Sequence, residues 1–485
     1  MEFDRAVLDE MAQIALKSAR LAGADYADIR IVEGRQQSLF ARNERIAGIN
    51  DSGDKGFGVR CLANGAWGFA SSSVLTPESV QNVAKQAAEI ARASSIAKVR
   101  NVDLAPEPIH NSTYVTPRVT DPFEIPLESK ASLLLECTDI MRKVEEVKVA
   151  IAMMYQLRSY QLYASTEGSN IFLDRLIVTA WLKADTVGNN EKQSRSYQAS
   201  PQHAGWEQII AADLVGNAPR VAQEAREKLF ADPSPTGNFD LILDPEHLHL
   251  TMHESIGHAT ELDRVLGYEA DYAGTSFAKV DDLGKLQYGS KIVNAVADNT
   301  TPEFLASTGF DDDGVEGQKW DIIRDGVLVD FTTSRETAPQ IGSNRSHGSC
   351  RADGWENSPI LRIPNLGILP NKGTPEELIA DTKDGILIHG SGTWSIDQRR
   401  LNFQFGGDLF YRIKNGKRAG MLKDVIYRSS TPVFWNACDA ICGPEDWRAF
   451  GVLNCGKGQP GQTGFMSHYS ATSRFRKIEV GRGEE

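Results

Sequence analysis

The sequence has few cysteines, no long apolar run and no excess of positive charge, and each absence excludes a class of protein. Six cysteines in 485 residues do not make a disulfide framework, so folding must rest on buried cores. No uninterrupted apolar stretch approaches the length of a membrane span, which argues against a membrane protein. Met1-Glu2-Phe3-Asp4-Arg5 lacks the apolar core of a signal peptide, so the cytoplasm is the expected compartment. The net charge of -13 argues against a nucleic-acid partner, because a phosphate backbone calls for a basic face. G-x-S-x-G is absent, leaving a serine-esterase elbow without support. There is no internal repeat and no low-complexity tract.

What is present is ordinary globular material, 41% hydrophobic and 24% charged, in a chain long enough for two or more domains. Apolar residues at helical spacing predict helices over 4–21, 76–93, 127–144 and 211–229. Alternating stretches between them predict strands over 26–32, 38–49, 56–62, 67–70, 148–158, 160–165 and 170–185. This helix-and-hairpin alternation predicts an α+β fold with antiparallel sheets. Ala231-Asp232-Pro233-Ser234-Pro235-Thr236-Gly237 is the best boundary by composition and divides the chain into 1–232 and 233–485. After a strand over 239–243 and one helix, the second part turns β-rich, with hairpin turns at Asp325-Gly326 and Asn415-Gly416.

Asp244-Pro245-Glu246 is a capped helix start, and the helix it opens carries His247, His249, His253 and His258. Neutral imidazoles hold divalent metals, and a carboxylate that is not a ligand can deprotonate the attacking water. His253-Glu254-Ser255-Ile256-Gly257-His258 places both functions together, at an unfamiliar spacing. Residues four apart lie about 40° apart round a helix, and residues five apart about 140°. His249 and His253 would share a metal without distortion, but Glu254 then has no special relation to the pair. His253 and His258 share one only if the helix widens locally, for which a π-bulge at Gly257 is the candidate. The plainer alternative is a set of solvated or hydrogen-bonded helix histidines.

A zinc hydrolase needs a third protein ligand and leaves a fourth position for water. Cys438, Cys442 and Cys455 are the nearest chemical candidates. Cys438 and Cys442, on an expected helical turn, read as buried free thiols. Cys455 lies in Asn454-Cys455-Gly456-Lys457-Gly458-Gln459-Pro460-Gly461-Gln462, read as a loop whose backbone can approach a ligand closely. A nearby metal would hold its thiol deprotonated. The stretch 451–457 also matches the first seven positions of a phosphate loop. The eighth, however, is Gly458 instead of Ser or Thr, and Pro460 opposes the helix that should follow. Asp311-Asp312-Asp313-Gly314 lacks the ligand spacing of a calcium loop and reads as a polar turn that could line a substrate groove.

Several separated segments carry a resemblance. They are Gly23-Ala24-Asp25-Tyr26-Ala27-Asp28, Gly56-Phe57-Gly58-Val59-Arg60 and Gly65-Ala66-Trp67-Gly68-Phe69-Ala70, then His253–His258 with Ala259-Thr260-Glu261. Ala273-Gly274-Thr275-Ser276-Phe277, Phe310–Gly314, Asp325-Gly326-Val327-Leu328 and Asn454-Cys455-Gly456-Lys457 follow. Over nearly its whole length the chain resembles the TldD/PmbA family of zinc metallopeptidases, in its metal-bearing TldD branch, and the five-apart histidine spacing is that family's mark. The resemblance implies an N-terminal α/β-layer domain with an antiparallel sheet and a mainly antiparallel β C-terminal domain carrying the metal helix. It implies Zn2+ held by His253, His258 and Cys455, with Glu254 as general base. It further implies unfolded or flexible peptides as substrates, threading in as an added strand. The implied assembly is a homodimer or a heterodimer with a PmbA-like subunit. The stretch 458–462 and His347 depart from the family pattern, which bears on substrate and partner more than on the metal.

The expected function is thus a cytoplasmic zinc-dependent peptidase, with mixed nitrogen and sulfur ligands favouring zinc. Two readings compete with it. One is a non-catalytic binding or scaffold subunit whose structural zinc is closed by a fourth ligand, His249 or Cys442 being the first to check. The other is a nucleotide-dependent enzyme using the late glycine-rich stretch.

Overall fold

The computed structural model describes residues 4–483. Met1–Phe3, the start of the stretch read as lacking a signal peptide, and residues 484–485 lie outside the described residues.

Asp4 caps the first helix, Arg5–Leu21, by accepting the Ala6 N–H at 3.0 Å, and Thr76 caps Pro77–Ser94 through the Ser79 N–H. Both helices turn small side chains inward, among them Ala12, Ala15, Ala84 and Ala87, and cover one half of a seven-stranded sheet. Leu127–Arg142 and Leu214–Leu229 cover the other half over Leu39, Met154, Val178 and Leu182. The sheet runs Ala66–Ser72, Arg45–Ala63, Tyr26–Arg42, Val147–Ser165 and Asn170–Gly188, all antiparallel. Beyond Asn170–Gly188 lie the parallel Asn111–Val115 and the antiparallel Glu191–His203.

These strands are longer than their alternation predicts. Val147–Ser165 continues without a break where the sequence reads as two segments. The expected strand over 38–49 instead turns at Asn43 and Glu44, with φ of 47° and 63°. A two-residue hairpin turn needs left-handed backbone at both central positions, and without glycine it leaves a weak sequence signal. Asn189 and Asn190, at φ 54° and 60°, make a second such turn into Glu191–His203, a strand absent from the sequence reading. The helix over 211–229 is interrupted by Asp213, left-handed at φ 43°, which caps Leu214–Leu229 through the Gly216 N–H.

In the second part, a ten-stranded sheet includes Gly237–Leu243, parallel to Asp384–His389 and antiparallel to Ser473–Arg482. A six-stranded sheet contains Ala295–Asp298, Lys319–Arg324, Leu366–Ile368, Gln462–Ser470 and Arg448–Lys457. Helix Pro245–Met252 leaves the end of Gly237–Leu243 and packs on strands of both sheets, burying Leu248 and Met252. The fold is α+β, with parallel pairs among the antiparallel ones.

The run 311–313 is not a solvated turn: Asp311, Asp312 and Asp313 are each 5% exposed or less. Arg60 bridges Asp28 and Asp313 at 2.7 Å each, and Arg30 reaches Asp312 at 3.4 Å. These arginines come from the N-terminal sheet, so the run ties the two parts of the molecule together. A partner so distant in sequence leaves no local trace, which is why the run reads as surface.

Candidate metal centre

Asp244 starts the helix by accepting the His247 N–H at 2.9 Å, with Pro245 in its first turn. The helix is regular to Met252 and then widens over His253–Gly257 into a π turn, in which the His258 N–H bonds the His253 carbonyl. This brings the two imidazoles together, with ring centroids 4.8 Å apart. Local side chains capture backbone carbonyls of the widened turn: Tyr288 Oη donates to Ser255 and Thr260 Oγ1 to Ile256, the latter at 2.8 Å. Gly257 does not supply backbone freedom, for its φ is -52°. Its lack of a side chain matters instead, since a Cβ there would come 2.9 Å from Ile363.

His253, His258 and Cys455 are all buried, and their ligand atoms lie within 4.8 Å of one another. Cys455 is not in a loop. It lies on strand Arg448–Lys457, opposite Gly464, and the glycine- and proline-rich turn begins only at Gly458, at φ 87°. Each histidine is gripped from its far side. His258 Nδ1 meets Glu261 Oε2 at 2.7 Å, and His253 Nδ1 meets His468 Nε2 at 2.8 Å. That leaves each Nε2 available as a donor, and His258 Nε2 is 3.5 Å from Cys455 Sγ. Glu261 is itself held by Lys457 Nζ at 2.9 Å, and Lys457 also reaches Asp263 and the Leu361 carbonyl at 2.8 Å each.

The electrostatics suit metal binding. Burial pushes both imidazoles below their ordinary pKa, toward the neutral form that ligates. Burial pushes the Cys455 thiol up, but the adjoining His258 and Arg362 outweigh it and hold the thiol below its usual value. Two neutral imidazoles and a thiol easily deprotonated make a donor set that fits Zn2+.

Glu254 is 7% exposed, and its Oε2 lies 2.7 Å from Arg400 Nη1. Arg400 is held at φ 59°, a region L-residues seldom occupy, and its carbonyl accepts from Thr431 Oγ1 at 2.8 Å. His249 stands apart from the ligand group: its Nδ1 meets the Glu246 carbonyl at 2.7 Å and its ring stacks on Phe450. Cys438 and Cys442 are buried free thiols, the first on strand Cys438–Ile441 where the sequence suggests a helical turn. Because 451–457 is extended strand with no helix after it, the phosphate-loop reading falls. His347 stacks on Trp320 with centroids 4.3 Å apart and contacts Asp330.

Sequence reasoning missed His468, Lys457 and Arg400 as partners of the centre, all brought in by tertiary structure. The grip of Glu261 on His258 had a signal, because residues three apart on a helical turn are neighbours.

The stretch 236–482 matches the family model of the PmbA/TldA metallopeptidase C-terminal domain, and 27–91 matches domain 1 of the same family. A metalloprotease of Methanocaldococcus jannaschii is 30% identical over 404 residues, 82% of this chain and 86% of that one. A zinc metalloprotease TldD homolog of Saccharolobus solfataricus is 21% identical, over 96% of this chain and 98% of its own. TldE from Thermococcus kodakarensis shares the fold with a TM-score of 0.73 at 15% identity, covering 98% of this chain and 100% of that one. A Thermotoga maritima structure described as a candidate modulator of a DNA gyrase does so with a TM-score of 0.78 at 18% identity, with the same coverage.

Proposed function

The chain belongs to the PmbA/TldD metallopeptidase family, and from that premise we propose that it is a zinc-dependent peptidase. His253, His258 and Cys455 are its metal ligands and Glu254 its general base. One observation carries this reading: three buried donors converge, while the carboxylate next to His253 is directed to Arg400 and stays outside the ligand set. Three protein ligands with an open fourth position are the mark of catalytic zinc. Zinc bound there supplies the Lewis acidity that acidifies water and polarises a carbonyl. The chain's own residues do the rest. Glu261 and His468 fix the two rings, Arg400 holds one oxygen of Glu254, and Glu254 takes the proton from water and returns it to the leaving amine.

A structural zinc in a scaffold subunit would need a closing ligand. His249 and Cys442 are both outside the donor group, which supports the catalytic alternative. The substrates are unfolded or flexible peptides, and the assembly is a dimer with a second copy or a PmbA-like chain. No helix among the described residues is long and apolar enough to cross a membrane. Residues 1–232 form the layer domain and 233–485 the peptidase domain.

Glu254→Gln should keep its zinc by metal analysis and lose about 10²- to 10⁴-fold in cleavage of an unstructured peptide. Cys455→Ala should lose most of its zinc. Parental cleavage by Glu254→Gln would overturn the reading.

A further inference from the structure

A cavity of about 470 Å³ lies between the N-terminal sheet and the hairpin that carries Cys455. Arg175, from strand Asn170–Gly188, lines it together with Arg351 and Arg362 from the second part. Guanidinium groups stay charged throughout the physiological range, and an uncompensated buried charge is costly. The buried arginines elsewhere are paired with carboxylates: Arg60 with Asp28 and Asp313, Arg335 with Glu167, Arg195 with Glu224.

The three in the cavity are not. Arg351 donates to the Phe465 and Ile363 carbonyls at 2.6 and 2.7 Å. Arg362 donates to the Gln462 carbonyl at 3.0 Å and to that of Cys455. Arg175 reaches Ser159 Oγ at 3.4 Å and Gln161 Oε1 at 3.0 Å. The Nε–H of each is buried without an acceptor, and Arg362 and Arg351 are only 1% and 9% exposed.

The carboxylates nearby are committed elsewhere. Asp312 accepts from Gln161, the Ala352 N–H and Arg30. Of the lining carboxylates, Asp353 accepts from the Thr463 N–H and Asn357, and Asp54 from Trp355. The wall also holds His203, which burial and then the charge of Arg175 keep neutral, at a pKa of about 3. The cavity is therefore a preformed pocket whose three guanidinium groups have no direct ion pair among the described residues, although Asp54 and Asp353 also line it.

Its wall is continuous with the metal centre. Gly464 lines the cavity and stands opposite Cys455 in the strand ladder, and a Cβ on it would come 2.6 Å from the Arg362 guanidinium carbon. The missing side chain keeps the guanidinium approachable beside the ligand strand. We infer that this cavity binds a carboxylate of the peptide substrate, anchoring an acidic side chain or the C-terminus while the neighbouring backbone lies along the Cys455 hairpin. The substrate class is then flexible peptides with a negative charge close to the cleaved bond.

This rests on the peptidase reading for the nature of the ligand, so the test measures binding and turnover separately. One unstructured, fluorescently labelled peptide is made in four forms, with Glu or Gln at an internal position and a free or amidated C-terminus. Each is titrated onto the zinc-loaded full chain carrying Glu254→Gln. Removing the anchoring carboxylate should weaken binding at least about tenfold, and the form that weakens identifies side chain or terminus. Arg175→Gln should erase that difference and Arg175→Lys retain part of it, both with a melting temperature no lower than the parent's, since the Arg175 guanidinium hydrogen-bonds only the Ser159 and Gln161 side chains. Equal affinity for all four forms, or a difference that survives Arg175→Gln, would overturn the inference whether or not the parent cleaves. Charge-dependent binding without cleavage by the parent would leave the pocket standing and remove the peptidase reading instead.

Discussion

The layer under the N-terminal helices and the region around the metal helix use burial for opposite ends. In the first, Ala12, Ala15, Ala84, Ala87 and Leu162 fill the space between regular helices and a regular sheet. In the second, the central helix changes pitch at His253, and Glu261, Arg264, Lys457 and His468 are buried at 2% exposure or less. Apolar burial is non-directional and supplies stability. Buried polar groups are costly unless satisfied, and when satisfied they fix positions. Stability and site geometry are therefore carried by different regions of the molecule.

The largest expected effect falls on the apolar side. Leu182→Ala empties part of the core beneath Leu127–Arg142 and Leu214–Leu229, where Leu182 is fully buried. It should cost about 2–5 kcal/mol of unfolding free energy in a denaturant titration. Zinc content of the folded fraction should stay at the parental level; a parallel fall in zinc would show that the two regions are energetically fused.

A smaller effect, on the polar side, follows from His468→Phe. The substitution keeps a ring in the space but removes the nitrogen that meets His253 Nδ1. Zinc affinity, measured by competition with a chelator, should fall about 10- to 100-fold, with little change in the melting temperature of the metal-free protein. If affinity is unchanged, His253 is oriented by the helix alone.

The same contrast explains what could be read from the sequence. Helices Arg5–Leu21 and Pro77–Ser94 were legible because an amphipathic stripe and a cap are both local. The α+β class followed from such elements. The His253/His258 pair was legible as a question, because the five-residue spacing demands a distortion that only the surrounding packing can grant. Cys455 was legible as a residue and misplaced as structure, since its strand is defined by pairing with Gln462–Ser470 and not by its own composition. His468, Arg400 and the arginine partners of Asp312 and Asp313 were illegible because long-range contacts set them. The turn at Asn43-Glu44 was missed for a different reason: it is local but lacks the glycine that usually marks it.

The smallest predicted effect concerns pH and asks whether acid sensitivity belongs to the polar side. His247 is fully buried, with Nδ1 2.8 Å from the Gly390 carbonyl and Nε2 2.9 Å from Tyr427 Oη. Nδ1 can donate to the first while Nε2 accepts from the second, so the neutral ring satisfies both nitrogens. Burial, which disfavours the charged ring, lowers its pKa from 6.5 to about 4. Below pH 6.5 the unfolded chain takes up a proton that the folded chain refuses until about pH 4. The unfolded state then binds more protons, so its share rises as pH falls across that window, and the contribution is level again on either side. One proton bounds the slope at about 1.4 kcal/mol per pH unit. His247→Gln should cost stability at neutral pH and flatten the decline between pH 6.5 and 4 by up to that slope, as read from urea midpoints. His203, the buried histidine of the N-terminal sheet, is held to about 3, and His203→Gln tests the other region by the same measurement. The comparison predicts that variants at His247 and at His249, also held to about 4, together remove more of the slope than His203→Gln does. An equal or larger loss at His203 would mean that acid lability does not follow the polar core.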